Sequence, residues 1–174
     1  MNKVMTGYHG FTMERSPGLD AFVPILADGV KWMGYFPGRR VFFSLGAFDD
    51  AVSEEESFAT FDRQVVTRVG WLPIASVEAK TLWHIAVMSR VGRPDERSIQ
   101  LRSKPEDSLA PFFVETPDIA SDRAGTTGIE TYYRKGSWLF GGEYDWQNVD
   151  RKTGRDLAFH AGNVLASWLI TGES

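Results

Sequence analysis

Apolar and polar residues alternate with a period of two along most of the chain. From Arg40 to Phe48, Val41, Phe43, Leu45 and Ala47 fall on one face, while Phe42, Ser44, Gly46 and Phe48 fall on the other. Val65, Thr67, Val69 and Trp71 alternate with Val66, Arg68 and Gly70, and Trp83, Ile85 and Val87 alternate with His84, Ala86, Met88 and Arg90. The pattern resumes with Ile129, Thr131 and Tyr133 against Glu130, Tyr132 and Arg134. It continues with Trp138, Phe140, Gly142, Tyr144 and Trp146 against Leu139, Gly141, Glu143, Asp145 and Gln147. Gly162, Val164, Ala166, Trp168 and Ile170 then alternate with Asn163, Leu165 and Ser167. A two-residue period marks β-strands with unlike faces. The chain therefore reads as all-β and antiparallel, with roughly eight strands of about ten residues each.

Turn residues punctuate the strands. Arg134-Lys135-Gly136-Ser137 reads as a short hairpin turn, and Pro37-Gly38-Arg39 as another. Longer polar connections follow Asp49 (to Asp62, with Glu54, Glu55 and Glu56) and Asn148 (to Leu157). Arg102 to Asp122 carries Pro105, Pro111 and Pro117 and reads as a long irregular segment, a kind that is usually functional. No linker, low-complexity tract or internal sequence repeat divides the chain, so residues 1–174 are read as one domain.

Each strand has an apolar, aromatic face and a face of charges, amides and glycines. In a sandwich the apolar face points inward. In a membrane barrel it points out to lipid and the polar face lines a wet lumen. Periodicity alone fits both. Trp32, Trp71, Trp83, Trp146 and Trp168 are expected near strand ends, which favours the barrel, because Trp collects at membrane interfaces.

Composition narrows the field. Charged residues make 24% and hydrophobic residues 43%, which argues against disorder. Seventeen Gly and eight Pro leave little room for long helices. The net charge of −4 gives no footprint for nucleic-acid binding. With no Cys, thiol catalysis, disulfides and thiolate metal sites are excluded. No run of residues approaches the apolar length of a membrane-spanning helix, and Met1 is followed by Asn2-Lys3-Val4-Met5-Thr6-Gly7, without an apolar signal region.

Several segments, in one consistent order over nearly the whole chain, resemble the phosphate-selective porin O and P family of Gram-negative outer membranes. Phe11-Thr12-Met13-Glu14-Arg15-Ser16 is similar to the family's F-M-E-R stretch, and Leu101-Arg102-Ser103-Lys104-Pro105-Glu106 through Leu109-Ala110-Pro111 to its R-S-R-P-E…L-A-P. Phe113-Val114-Glu115-Thr116-Pro117-Asp118-Ile119 resembles F-V-D-T-G-x-I, and Thr127-Gly128-Ile129-Glu130 and Gly141-Gly142-Glu143-Tyr144 resemble Y-G-L-E and L-Q-G-E-Y. Ala166 to Glu173 (Ala-Ser-Trp-Leu-Ile-Thr-Gly-Glu) resembles A-S-Y-F-L-T-G-E. The resemblance implies a trimeric outer-membrane porin with a transmembrane β-barrel of roughly sixteen to eighteen strands, of which this chain supplies roughly half. It also implies that a signal peptide, early strands and a terminal aromatic strand lie outside this sequence. The implied function is passive diffusion of small anions, phosphate among them, with no cofactor and no enzymatic activity. Inorganic anions and outer-membrane lipid are the partners.

Anion passage needs cations along the lumen. Lys31, Arg68, Arg90 and Arg134 fall on polar strand faces, and Arg102 and Lys104 precede the long segment. Guanidinium groups bind oxyanions through paired hydrogen bonds. The plainer reading is that these cations pair with acids such as Glu130, Glu143 and Asp145 and solvate the wall. The spacing of Glu143 and Asp145 could suggest a carboxylate pair, but such pairs come from opposed elements. His9, His84 and His160 have no zinc spacing, Gly141-Gly142 opens no phosphate loop, and no Ser lies in a nucleophile elbow. Two alternatives stay open: a general porin of the same fold, and a soluble carbohydrate-binding β-sandwich with Trp platforms.

Overall fold

The computed structural model describes residues 16–22, 27–49, 61–104 and 110–171. The F-M-E-R-like residues 11–15, His9, most of the acidic connection after Asp49 and residues 105–109 lie outside these. A four-residue helix α1 (Pro17–Asp20) precedes ten strands. They are β1 (Asp28–Tyr35), β2 (Val41–Asp49), β3 (Phe61–Ser76), β4 (Thr81–Pro94), β5 (Ser98–Ile99), β6 (Arg102–Ser103), β7 (Val114–Glu115), β8 (Ile119–Lys135), β9 (Trp138–Arg151) and β10 (Leu157–Trp168).

Seven strands form an antiparallel meander in the order β1-β2-β3-β4-β8-β9-β10, and β5 pairs with β8 as the eighth strand of the sheet. The fold is all-β, as the alternation predicts. Among the described residues the sheet is open, with β1 and β10 as its edges. Short turns sit at one end. The tightest is Gly136-Ser137, between the paired Lys135 and Trp138, with Gly136 at φ 55°. A positive φ at that position suits the primed turns of two-residue hairpins, and glycine adopts it without penalty. The opposite, loop end carries the long connections after β2, β4 and β9.

The strands run further than the alternation suggests: β8 has 17 residues and β3 has 16. β8 begins at Ile119, inside what the sequence reads as an irregular segment. The rest of that segment is tied by the β6–β7 pair, with Arg102 opposite Glu115 and Ser103 opposite Val114. Trp83 and Trp168 lie near strand ends as expected. Trp32 and Trp146 do not, because the hydrogen-bonded ladder continues past the apolar band at the loop end, and Trp71 lies within the band, opposite Ile85.

Burial divides the two faces sharply. On β9, Glu143, Asp145, Gln147 and Val149 are buried while Tyr144, Trp146, Asn148 and Asp150 are exposed. The register carries this division across the sheet, since antiparallel partners share a face. Val41, Trp71, Ile85, Thr131, Gly142 and Val164 form one half-buried to exposed row, and Phe43, Val69, Val87, Ile129 and Tyr144 the next. The apolar face is thus the open one and the polar face the covered one. Near the loop end, the covered face bears the apolar cluster. Phe61, Ile99, Leu101, Ile119, Ala124 and Val149 pack with Ala21 and Phe22, which follow α1.

Candidate functional site

The covered face is where charge converges. Arg68 on β3 and Glu130 on β8 are separated by β4, which places the small, buried Ala86 opposite Glu130. The Arg68 guanidinium donates to Glu130 Oε1 across that gap. His84 Nε2 lies 2.7 Å from the same oxygen, so its proton is assigned to that nitrogen. The imidazole stacks on Phe42, with centroids 5.8 Å apart and planes 15° apart, and the Arg68 guanidinium stands 5.1 Å from the Phe42 ring centre. Tyr132, whose ring centre lies 6.3 Å from that of His84, donates to Glu143 on β9. These contacts make one charged network spanning β2, β3, β4, β8 and β9.

Glycines let this network lie flat. A Cβ at Gly70 would strike the Phe42 ring, and one at Gly141 the Tyr132 ring. Phe42 is the cross-strand partner of Gly70, and Tyr132 that of Gly141. Each ring therefore folds over a neighbouring strand where no side chain stands, which is how aromatic residues shield strand glycines.

A second group surrounds Arg90. Its guanidinium donates to the Phe22 carbonyl and, at 3.0 Å, to Thr126 Oγ1. Its carbon stands 4.5 Å from the Phe61 ring centre. Thr126 in turn donates to Gln147. Arg90 thus fastens the Ser16–Phe22 segment to the covered face. A third group lies on β6 and β7. Arg102 faces Glu115 at 3.4 Å, and Arg102 and Lys104 both approach the Phe112 ring, at 5.1 and 4.9 Å. Buried Ile99 and Leu101 anchor this segment in the apolar cluster.

All four strand cations singled out from sequence belong to the covered face by register. Arg68 and Arg90 are engaged as described. Lys31 (opposite Gly46) and Arg134 (opposite Leu139) are exposed, and their side chains have no ion pair among the described residues. Glu143 and Asp145 come from one strand rather than opposed elements, and both are buried. His84, read from sequence as isolated, belongs to the charged network. Its alternation placed it on the right face, but only the β4–β8 register brings it to Glu130. His160 lies on the open face, 2.5 Å from the Tyr144 hydroxyl. Among the described residues, no three His, Asp or Glu side chains group as metal ligands, and no helix is long and apolar enough to cross a membrane. No family model matches the chain, and no curated protein is significantly similar to it.

Proposed function

We propose that this chain builds part of the wall of an outer-membrane porin resembling the phosphate-selective O and P family. Its open face lies against lipid and its covered face lines a water-filled lumen for passive diffusion of small anions, phosphate among them. One observation carries this reading: the polarity of the sheet is inverted relative to a water-exposed protein. Val164 is 90% exposed and Trp32 65%, whereas Asp145 and Gln147 are fully buried. A continuous apolar face of this size in water would be an aggregation surface. Against hydrocarbon it is the stable arrangement.

The dimensions agree. The apolar band extends over about ten residues of β4, from the level of Thr81 to that of Val91, or ~34 Å at ~3.4 Å per residue. At a strand tilt of about 40° this spans ~26 Å, close to the ~25 Å apolar band of outer-membrane barrels. Aromatic residues collect toward the turn end, where Trp138 stacks on Trp168 with centroids 5.4 Å apart.

Anion preference in this reading rests on Lys31 and Arg134, since Arg68, Arg90 and Arg102 already have partners. Glu130, Glu143 and Asp145 share the same wall, which favours a second reading, a general porin with weak ion preference.

The test is tryptophan quenching. The channel-forming protein that contains this chain is refolded into phosphatidylcholine vesicles carrying bromines on the acyl chains. Strong quenching of the open-face tryptophans is expected. A chain that purifies without detergent and shows no quenching would refute the barrel and favour the carbohydrate-binding sandwich.

A further inference from the structure

At the loop end of the open face, three arginines stand on three adjacent strands. Arg63 on β3 and Arg93 on β4 are direct cross-strand partners. Gly92 pairs with Ala124, so Arg123 takes the next level on β8. All three are exposed, and none of their guanidinium groups has an ion pair or hydrogen bond among the described residues. Like charges directly opposite each other destabilise a sheet. Such a cluster is favourable where an anion bridges it.

Immediately toward the apolar band lies an open groove of about 480 Å³, walled by Val30, Ala47, Val65 and Val91, with Arg63, Asp28 and Asp49 at its loop end. The small Ala47 side chain sits between Val30 and Val65, its partners on the neighbouring strands, and forms the groove's low floor. Positive charge therefore adjoins an apolar channel at the boundary of the apolar band. Acids flank the arginines on both sides. Asp150 is the cross-strand partner of Arg123, and Asp49 takes the level of Arg63 on β2, opposite Asp28 on β1; Asp28 and Asp49 both line the groove's loop end.

We propose that this surface binds an anionic lipid, with the headgroup phosphate on Arg63, Arg93 and Arg123 and an acyl chain in the groove. The proposal rests on the reading of the open face as lipid-facing. Guanidinium forks match phosphate oxygens in pairs, and a headgroup level two residues beyond Val65 is where a lipid phosphate lies. A free phosphate ion uses only the arginines. A lipid uses the arginines and the groove together, and the two are contiguous here.

The test uses the channel-forming protein that contains this chain, in vesicles of phosphatidylcholine with and without phosphatidylglycerol, with retained lipid counted by native mass spectrometry. The unaltered chain should retain phosphatidylglycerol in preference to phosphatidylcholine. The triple variant R63Q/R93Q/R123Q should lose that preference by at least about tenfold. Ala47→Trp, which fills the groove and keeps the arginines, should also weaken it. Equal retention by the triple variant would overturn the proposal. So would complete displacement by inorganic phosphate, since the groove would then contribute nothing. A chain that enters both vesicle types, with quenched tryptophans but no lipid preference, refutes this inference alone. A channel-forming protein that enters neither refutes the porin reading as well.

Discussion

Val87→Arg tests the membrane reading at its most sensitive point. Val87 lies on the open face of β4, 49% exposed, opposite Val69 and Ile129. It is close to midway between Thr81 and Val91, which bound the apolar band. With ~3.4 Å per residue and a tilt of about 40°, both boundaries lie on the order of 10 to 15 Å away. In the porin reading an arginine there sits near the bilayer midplane and should cost ~2–4 kcal/mol. Val65→Arg places the same charge on the same face at the band's loop-end margin, where the cost falls to ~0–1 kcal/mol. If the open face instead met water, both would be surface substitutions, each within about 0.5 kcal/mol of neutral. The assay is urea unfolding of each variant, made in the channel-forming protein and refolded into phosphatidylcholine vesicles, followed by tryptophan emission. Equal, small effects at both positions would refute the claim that this face lies in hydrocarbon.

Other consequences follow from the covered face. Glu130→Gln removes the charge that Arg68 and His84 share and should cost about 2 kcal/mol, the scale of hydrogen bonds to charged groups. The double variant Arg68→Gln/Glu130→Gln should recover part of that, and a purely additive cycle would show that the pair is uncoupled. Gly141→Ala drives a methyl group into the Tyr132 ring and should cost about 1–3 kcal/mol, partly relieved by Tyr132→Ala, as read from the same unfolding curves. Lys31→Glu and Arg134→Glu, made in the channel-forming protein, should move the reversal potential under a potassium chloride gradient toward cation preference. An unmoved potential would remove both residues from the anion path.

Much of this architecture is legible in the alternation alone. The strands around Val41–Phe48 and Trp138–Gln147 stand out because bulky apolar and polar residues change places at every step. The faces of Lys31, Arg68, Arg90 and Arg134 follow from the same count. The first third of β8 is not legible. Ala120, Ser121, Asp122, Arg123, Ala124 and Gly125 offer no apolar face, because this stretch lies beyond the apolar band, and a register shift interrupts it between Ser121 and Arg123. Backbone hydrogen bonds hold the strand there, and they leave no trace in side-chain pattern. The partnership of Arg68, His84 and Glu130 is invisible for a different reason. It depends on strand register, which fixes who faces whom across residues 68 to 130. Alternation fixes only which way each residue faces. The exterior arginines were missed on the same ground, since Arg63, Arg93 and Arg123 are far apart in sequence and meet only through pairing.

Strand direction constrains how such a sheet closes. Seven strands in an antiparallel meander leave β1 and β10 running the same way. Curling this sheet until its own edges met would pair them in parallel, and so would repeating it around a barrel axis. Antiparallel closure therefore needs an odd number of strands between β10 and β1, which makes the total even. Bacterial outer-membrane barrels formed by one chain have even strand numbers for the same reason, because each hairpin reverses direction. A barrel of roughly sixteen or eighteen strands satisfies the condition, since either total leaves an odd remainder after seven. The requirement is energetic as well as geometric. An unpaired edge in hydrocarbon exposes a row of amide and carbonyl groups, each costing several kcal/mol. The porin proposal thus carries a condition set by the two edges of the described sheet: in lipid these strands would need to be an arc of a larger antiparallel ring.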